Sequence, residues 1–401
     1  MNENSRYIAG VDVGTTTIRV VVASLNSENE PTIVGVGVKE NTGMKKGVIS
    51  HLSGPAEAID EALGEAERTS GYQIDKAAFS LNGSHILSTK TDGMVALTSS
   101  NQEVSEGDLE RLEEVSTIGK IPANREILEF IPYDYILDGQ DGISDPFGMH
   151  GTRLEVRANV VSGLVPHINN LRQVAEQTQI EISRIMPSVL AASNAVLSDK
   201  QKENGVAVVD FGATTTGVAI FEDGYLQYLR VIPIGGNNIT NDLAICLKVT
   251  PEIAEEIKIK HAFAGIREDS KDIMVKNGHE HYSFSTIEID EVVDARLEEI
   301  FEEIQKEFKK AGCAKQLPNG VVLVGGGANL KNLAQYSKKT LELASQIGKI
   351  EISSTISKDI KNPEFAVAVG LMLEDMKNGA QEKRHDRFHE GFFAKIFKRN
   401  K

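Results

Sequence analysis

Two stretches of this chain carry an aspartate into a turn of glycine and threonine between apolar runs. Ile8 to Val21 reads IAGVDVGTTTIRVV, and Gly205 to Phe221 reads GVAVVDFGATTTGVAIF. In each, a β-branched run delivers an acid, Asp12 or Asp210, to a polar tip: Gly14, Thr15, Thr16 and Thr17 in the first, Gly212, Thr214, Thr215 and Thr216 in the second. Glycine lets the backbone approach a ligand closely, so successive N–H groups and the threonine hydroxyls can cradle phosphate oxygens. Asp12 and Asp210 are of the type that holds the waters of a phosphate-bound Mg2+; they are the candidate catalytic and metal-coordinating pair. One such hairpin is an ordinary turn. Two copies about two hundred residues apart predict two similar α/β domains facing each other across a nucleotide, with one hairpin from each on the phosphates.

A third glycine cluster completes the pattern. Val321 to Leu330, VVLVGGGANL, is a buried-type strand running into Gly325, Gly326 and Gly327, with Asn329 in the same loop and a helix after it. Side chains would keep a base or ribose off that backbone, and glycines remove them. Phosphate, phosphate, adenosine, in that order, resembles the actin-like ATPase superfamily, so ATP with Mg2+ is the expected cofactor. No G-x-x-x-x-G-K-[ST] occurs, which sets the P-loop aside. Two more pairs join the expected nucleotide set. Gly235 and Gly236 end a strand, and Glu255 and Lys258 stand three apart on one helix face, where they can meet ribose hydroxyls or simply each other.

The elements that position these groups follow from periodicity. Thr32 to Val38 is a third strand after the first hairpin, and Gly54 to Ser70 is a helix whose Ala58, Ile59, Ala62, Leu63 and Ala66 share one face. Ala77 to Leu81 is a strand ending at Asn82-Gly83-Ser84-His85, where the histidine reads as a hydrogen-bonded turn residue. From Ile86 to Val165 the pattern changes to that of an inserted unit: a helix at Ser105 to Thr117, a strand at Glu126 to Leu137, a Gly- and Asp-rich loop, and a strand at Leu154 to Ser162. A helix from Pro166 to Gln177 and a strand at Ile180 to Met186 follow. The small-residue helices Ser188 to Leu197 and Asn362 to Met376 suit a close crossing between two domains. The second half adds a strand at Tyr225 to Ile232, helices at Asn237 to Cys246, Pro251 to Phe263 and Ile289 to Ala311, and a polar excursion of strand character at Lys276 to Ile289.

A length of 401 residues suits two cores better than one. A net charge of −15 argues against a nucleic-acid partner. Cys246 and Cys313 stand alone, which points to a reducing compartment without a disulfide framework, and no apolar run is long enough to span a bilayer. The C-terminal eleven residues differ. In GFFAKIFKRNK, helical spacing gathers Phe392, Phe393, Ile396 and Phe397 on one face, bordered by Lys395, Lys398, Arg399 and Lys401. The tail holds four positive charges and no acid, so residues 1–390 carry −19, and the tail alone could attract an anionic lipid membrane. Gly379 to Glu390 before it reads as a flexible tether.

The chain resembles one family over nearly its whole length: the bacterial cell-division protein FtsA. The resemblance rests on GMKKGVI at Gly43 to Ile49, NGSHI at Asn82 to Ile86, DPFGMHGTRLEV at Asp145 to Val156, IPIGGNNITNDLAI at Ile232 to Ile245 and VVLVGGGANLKNL at Val321 to Leu333. It implies an actin-like α/β fold of two duplicated domains with an FtsA-type inserted subdomain and a C-terminal amphipathic helix. The implied division is a first domain over 1–85, the inserted subdomain over 86–165, and a return with a connecting helix over 166–200. The second domain then spans 201–233 and 315–376, interrupted by a smaller subdomain at 234–314 and followed by a linker at 377–390 and a membrane-targeting helix at 391–401. The resemblance further implies a self-associating filament on the inner face of the cytoplasmic membrane at the division septum, which binds the C-terminal peptide of FtsZ and other divisome proteins.

Two departures from the family pattern bear on turnover. Where the second hairpin usually reads like D-I-G-G-G-T-T-D, this chain has Ala213, Thr214 and Gly217, and Ser188 stands where the preceding helix usually begins with a Glu. Losing acids that would orient water predicts at most a slow ATPase. The alternatives on the same fold are a pilus-assembly actin homologue and a sugar or acetate kinase.

Overall fold

The two Asp-Gly-Thr hairpins lie at the centres of two sheets that repeat one strand order. In a computed structural model that describes residues 6–98, 101–277, 280–313, 316–356 and 358–377, the first sheet runs Glu181–Pro187, Lys76–Leu81, Tyr7–Val13, Thr17–Leu25, Pro31–Glu40 and Ser353–Ser354. The second begins Ser345–Ile347, Val321–Val324, Val206–Phe211, Thr216–Glu222 and Tyr225–Ile232. Each is an antiparallel meander of three strands with two parallel strands added beside the first. The central strand of each is almost wholly buried, which explains why both read as continuous apolar runs rather than as alternation.

Helices cover the sheets at very close range. Ser53–Ser70 lays its alanine-rich face on Pro31–Glu40, and a Cβ on Gly37 would stand 1.8 Å from the Ala62 carbonyl oxygen. Between the domains, Ser188–Val196 meets the helix 366–377, where a Cβ on Gly370 would stand 1.8 Å from the Ala191 carbonyl oxygen. Only glycine allows that approach, so the two small-residue helices touch backbone to backbone.

The second sheet continues through Leu87–Ala96, Arg153–Leu164, Arg125–Leu137 and Gln140–Ile143, with the helix Glu106–Thr117 packed on them over a separate core of Val95, Leu112, Leu154 and Val156. One ladder pair, Arg230 with Leu87, joins this extension to the strand Tyr225–Ile232, and side chains of Ser88 and Asn159 add hydrogen bonds to the backbone of Leu229 and Leu226. Leu87–Ala96 is a strand that periodicity does not reveal. A smaller helical layer, Gly236–Leu247, Pro251–His261 and Thr286–Ala311, with the hairpin Asp272–Asn277 and Glu280–Ser285, sits on the second domain. That hairpin begins earlier than the polar excursion suggests. The second and third glycines open a 3-10 turn, Gly326–Asn329, and the α-helix starts only at Leu333. No helix among the described residues is long and apolar enough to cross a membrane. Lys377, expected to open the linker, still belongs to the helix 366–377, and the rest of the linker and the aromatic tail, residues 378–401, lie outside the described residues.

Candidate functional site

The hairpin tips meet. Thr214 Oγ1 donates to Thr15 Oγ1 at 2.8 Å, closing the distance between the two domains with one hydrogen bond. Behind the first tip, Asn41 Nδ2 donates to the Gly14 carbonyl at 2.7 Å and the Asn41 N–H to the Thr16 carbonyl at 2.9 Å, so the turn is braced from outside while Thr16 stays exposed. Behind the second, the N–H groups of Gly236 and Asn237 donate to the carbonyls of Gly212 and Ala213 at 2.9 and 2.7 Å. Thr17 opens the second strand of the first hairpin, half-buried. Thr215 and Thr216 are buried: Thr215 Oγ1 accepts from Asn82 Nδ2 at 3.1 Å and Thr216 Oγ1 donates to the Ile234 carbonyl at 2.8 Å. Those two hydroxyls hold their loop, whereas Thr15, Thr16, Thr17 and Thr214 of the two tips are half-buried or exposed.

Asp12 and Asp210 are both 7% exposed. Burial pushes Asp12 up to about 6, against the opposing pull of Arg19 and a 3.0 Å hydrogen bond from Ser80 Oγ. Burial, then the neighbouring charge of Asp12, pushes Asp210 up to about 7 against Arg19. Two buried carboxylates that feel each other's charge are under-compensated, and a cation beside them would offset that cost. Among the described residues no group of three or more His, Cys, Asp or Glu could hold a metal. Phosphate oxygens and water would therefore complete an Mg2+ shell.

Arg19 is the residue that sequence reasoning missed. It pairs across the first hairpin with Asp12, which puts both side chains on one face. The signal was available: once the tip is set at Gly14 to Thr17, counting outward places Arg19 opposite Asp12.

On the adenosine side the three glycines divide. A Cβ on Gly325, whose φ is +83°, would stand 2.5 Å from Asp210 Oδ1, and one on Gly327 would stand 2.6 Å from the Phe211 ring. Gly326 meets nothing within 4 Å, so its face alone is open, and Asn329 is exposed at the end of the same turn. Gly235 precedes the helix Gly236–Leu247, and Lys258 Nζ donates to the Gly236 carbonyl at 3.2 Å and to Thr240 Oγ1 at 2.8 Å. Lys258 and Glu255 also pair with each other at 2.6 Å. That pair is thus anchored beside the second hairpin rather than on a remote surface. Open glycine, under-compensated acids and a cross-strand cation together suit a magnesium nucleotide.

The two departures have structural counterparts. Ser188 is buried and donates to the Leu81 carbonyl at 3.4 Å. A Cβ on Gly217 would stand 2.8 Å from Val189 Cβ, so an acid there collides with the crossing helix.

Comparison with known proteins agrees with this architecture. Residues 207–370 match the family model for cell division protein FtsA, and residues 83–162 match that for the SHS2 domain inserted in FtsA. The cell division protein FtsA of Pseudomonas aeruginosa is 31% identical over 376 residues, covering 92% of this chain and 89% of that protein. That of Bacillus subtilis is 33% identical over 388 residues, covering 96% and 86%. Among solved structures, one of a PilM–PilN type IV pilus biogenesis complex superposes with a TM-score of 0.68 at 16% identity, covering 92% of this chain and 98% of that one. MreB5 of Spiroplasma citri bound to ADP superposes at 0.58 with 14% identity, covering 94% and 98%. Those two likenesses concern the fold alone. With relatives 31% and 33% identical over more than nine-tenths of its length, this chain, built on the actin-like fold, belongs to the FtsA family of cell division proteins.

Proposed function

We propose that this protein binds ATP with Mg2+ between its two domains, self-associates on the inner face of the cytoplasmic membrane, and there holds FtsZ filaments for septum assembly. The observation that carries the nucleotide reading is the contact of Thr15 with Thr214 beside the paired acids Asp12 and Asp210. Gly14 to Thr17 and Gly212 to Thr214 would hold the phosphates, Arg19 would neutralise them, and the open face of Gly326 would take the adenosine. Bound Mg2+ would supply the positive charge that the two carboxylates lack. Glu255 and Lys258 would face the ribose. Membership in a cell-division family leaves the kinase and pilus-assembly readings without support.

The FtsZ peptide would dock on the smaller subdomain at 234–314. A groove of about 390 Å3 between Gly236–Leu247 and Thr286–Ala311, lined by Ile245, Val292 and Ala295 with Asp242 and Arg296, offers an apolar floor and charges of both signs. The tail GFFAKIFKRNK would supply membrane attraction. Each basic residue near an anionic leaflet gives on the order of 1 kcal/mol, and three Phe and one Ile add a few kcal/mol. That is reversible for one molecule and persistent for a filament. The test is co-sedimentation of the full chain with anionic vesicles and ATP, with and without FtsZ. Recruitment of FtsZ to the pellet only when both lipid and this protein are present is the expected result; FtsZ left in the supernatant would refute the tether.

A further inference from the structure

Arg19 makes a contact that the nucleotide reading leaves unexplained. Its Nη2 donates to Glu364 Oε2 at 3.1 Å, and its Cζ stands 5.6 Å from the Phe365 ring centroid. Its Nε is buried and has no hydrogen-bond partner. A guanidinium presents five donors in a rigid fork suited to two oxygens at once. Here a carboxylate engages the fork through Nη2 while a buried N–H goes unsatisfied, an arrangement that favours a better acceptor.

The charges around Arg19 point the same way. It stands opposite Asp12 across the hairpin, its charge also reaches Asp210, and it pairs with Glu364, so three carboxylates share one guanidinium. A phosphate entering beside them brings more negative charge. It also brings several oxygens that a fork can grip in parallel, and such bidentate charge-assisted bonds are the strong ones. Glu364 is the carboxylate free to yield: its side chain is 28% exposed, whereas both aspartates are buried.

Glu364 also has a place from which its movement would be felt. It lies in the 3-10 turn Pro363–Phe365, whose Pro363 carbonyl accepts the Gly325 N–H at 3.0 Å. The turn runs directly into the helix 366–377, which carries the Gly370 crossing. One short turn therefore joins the cation of the first domain, the glycine loop of the second and the helix between them.

We propose that Glu364 is a placeholder for phosphate: a nucleotide phosphate displaces it from Arg19, and the exchange loosens the turn 363–365 and the start of the helix 366–377. The proposal rests on the nucleotide reading above. Because binding must first free Arg19, apparent affinity is lowered by the fraction of molecules in which the guanidinium is already free.

The test compares binding of a non-hydrolysable ATP analogue with Mg2+ to the full-length chain as wild type, Glu364→Gln, Arg19→Gln and the double variant. Hydrogen exchange across 363–370 is followed with and without the analogue. With Arg19 free about a tenth of the time, Glu364→Gln tightens binding about tenfold. Arg19→Gln weakens it by a comparable factor, and the double variant matches Arg19→Gln alone, because Glu364 has nothing left to compete for. Exchange over 363–366 rises when the analogue binds the wild type and is already raised in nucleotide-free Glu364→Gln. Unchanged or weaker binding by Glu364→Gln, or exchange unmoved by that substitution, would overturn the placeholder while leaving the nucleotide site standing. A wild type that does not bind the analogue would overturn the nucleotide reading and the exchange with it.

Discussion

Replacing Asp210 by Asn removes a buried charge without changing shape, and the nucleotide-free protein should become more stable for it. The carboxyl of Asp210 is pushed from 3.8 up to about 7 by burial and by Asp12. Each unit is worth about 1.36 kcal/mol, so ionising this group in the folded state costs at most about 4 kcal/mol. The sign follows from linkage. An acid whose folded pKa is raised keeps its proton in the native state while the unfolded chain has already released it, so stability falls as pH rises from about 4 to about 7 and is flat beyond. Between pH 5 and 8 the wild type should lose about 2–3 kcal/mol from this group alone. Asp210→Asn should lack that loss and exceed the wild type most above pH 7. The assay is urea unfolding with chelator and no nucleotide at pH 5, 6, 7 and 8. Added Mg2+ with ATP should then stabilise the wild type more than the variant. A wild-type profile flat across this range, or a variant less stable than wild type at pH 8, would refute the buried like-charge pair.

Gly326→Tyr should abolish ATP binding in a calorimetric titration while leaving the fold intact, because that glycine alone of the three faces open space; unchanged affinity would remove the adenosine assignment. Turnover should fall well below about 1 per second, the low end of common enzyme rates, and brisk Mg2+-dependent phosphate release would show that a residue other than an acid at 188 or 217 orients water. Gly370→Ala should destabilise the fold by more than the few tenths to 1 kcal/mol that a permitted glycine-to-alanine change adds, since its methyl would meet the Ala191 carbonyl; a midpoint equal to wild type in chemical unfolding would count against the close crossing. Truncation after Glu390 and Phe393→Glu should each lose co-sedimentation with anionic vesicles, and equal pelleting of both with the intact chain would exclude the tail as anchor.

The secondary structure was legible where a segment's own pattern decides it. Tyr225 to Ile232 reads as a strand and is one over the same residues, and the helix Ser53–Ser70 differs from its periodicity by one residue. What escaped was set by neighbours. In Leu87–Ala96, LSTKTDGMVA, the Asp-Gly pair has the look of a turn, yet both residues lie in a strand paired with Arg153–Leu164, and the glycine makes room for Ser116 of the covering helix, whose Cβ would stand 2.6 Å from a Cβ at 93. Ser345–Ile347 and Ser353–Ser354 are parallel edge strands of three and two residues, too short to carry any period and defined only by the strands beside them. The site was legible as far as residue types reach. Which hydroxyls point outward, and which cation faces the acids, depends on register.

Register also explains why the two halves of the duplication are not equal. In the first hairpin the residue opposite Asp12 is Arg19; in the second the residue opposite Asp210 is Gly217. Gly217 has no room for a side chain, since Val189 of the crossing helix occupies that space. The position that carries a cation in one copy is used in the other for packing the domains together. One guanidinium therefore serves both acids, burial raises both above the usual carboxylate range, and Asp210 has no cross-strand cation of its own. Restoring a cation at 217 would force the crossing helix away, so the second half can recover its missing charge only from outside the chain. A bound metal ion is the natural source, and Mg2+ should accordingly matter more to Asp210 than to Asp12: Asp210→Asn should weaken the Mg2+ dependence of nucleotide binding more than Asp12→Asn does. Equal effects in a titration of ATP affinity against Mg2+ would mean that the asymmetry in register has no part in holding the ion.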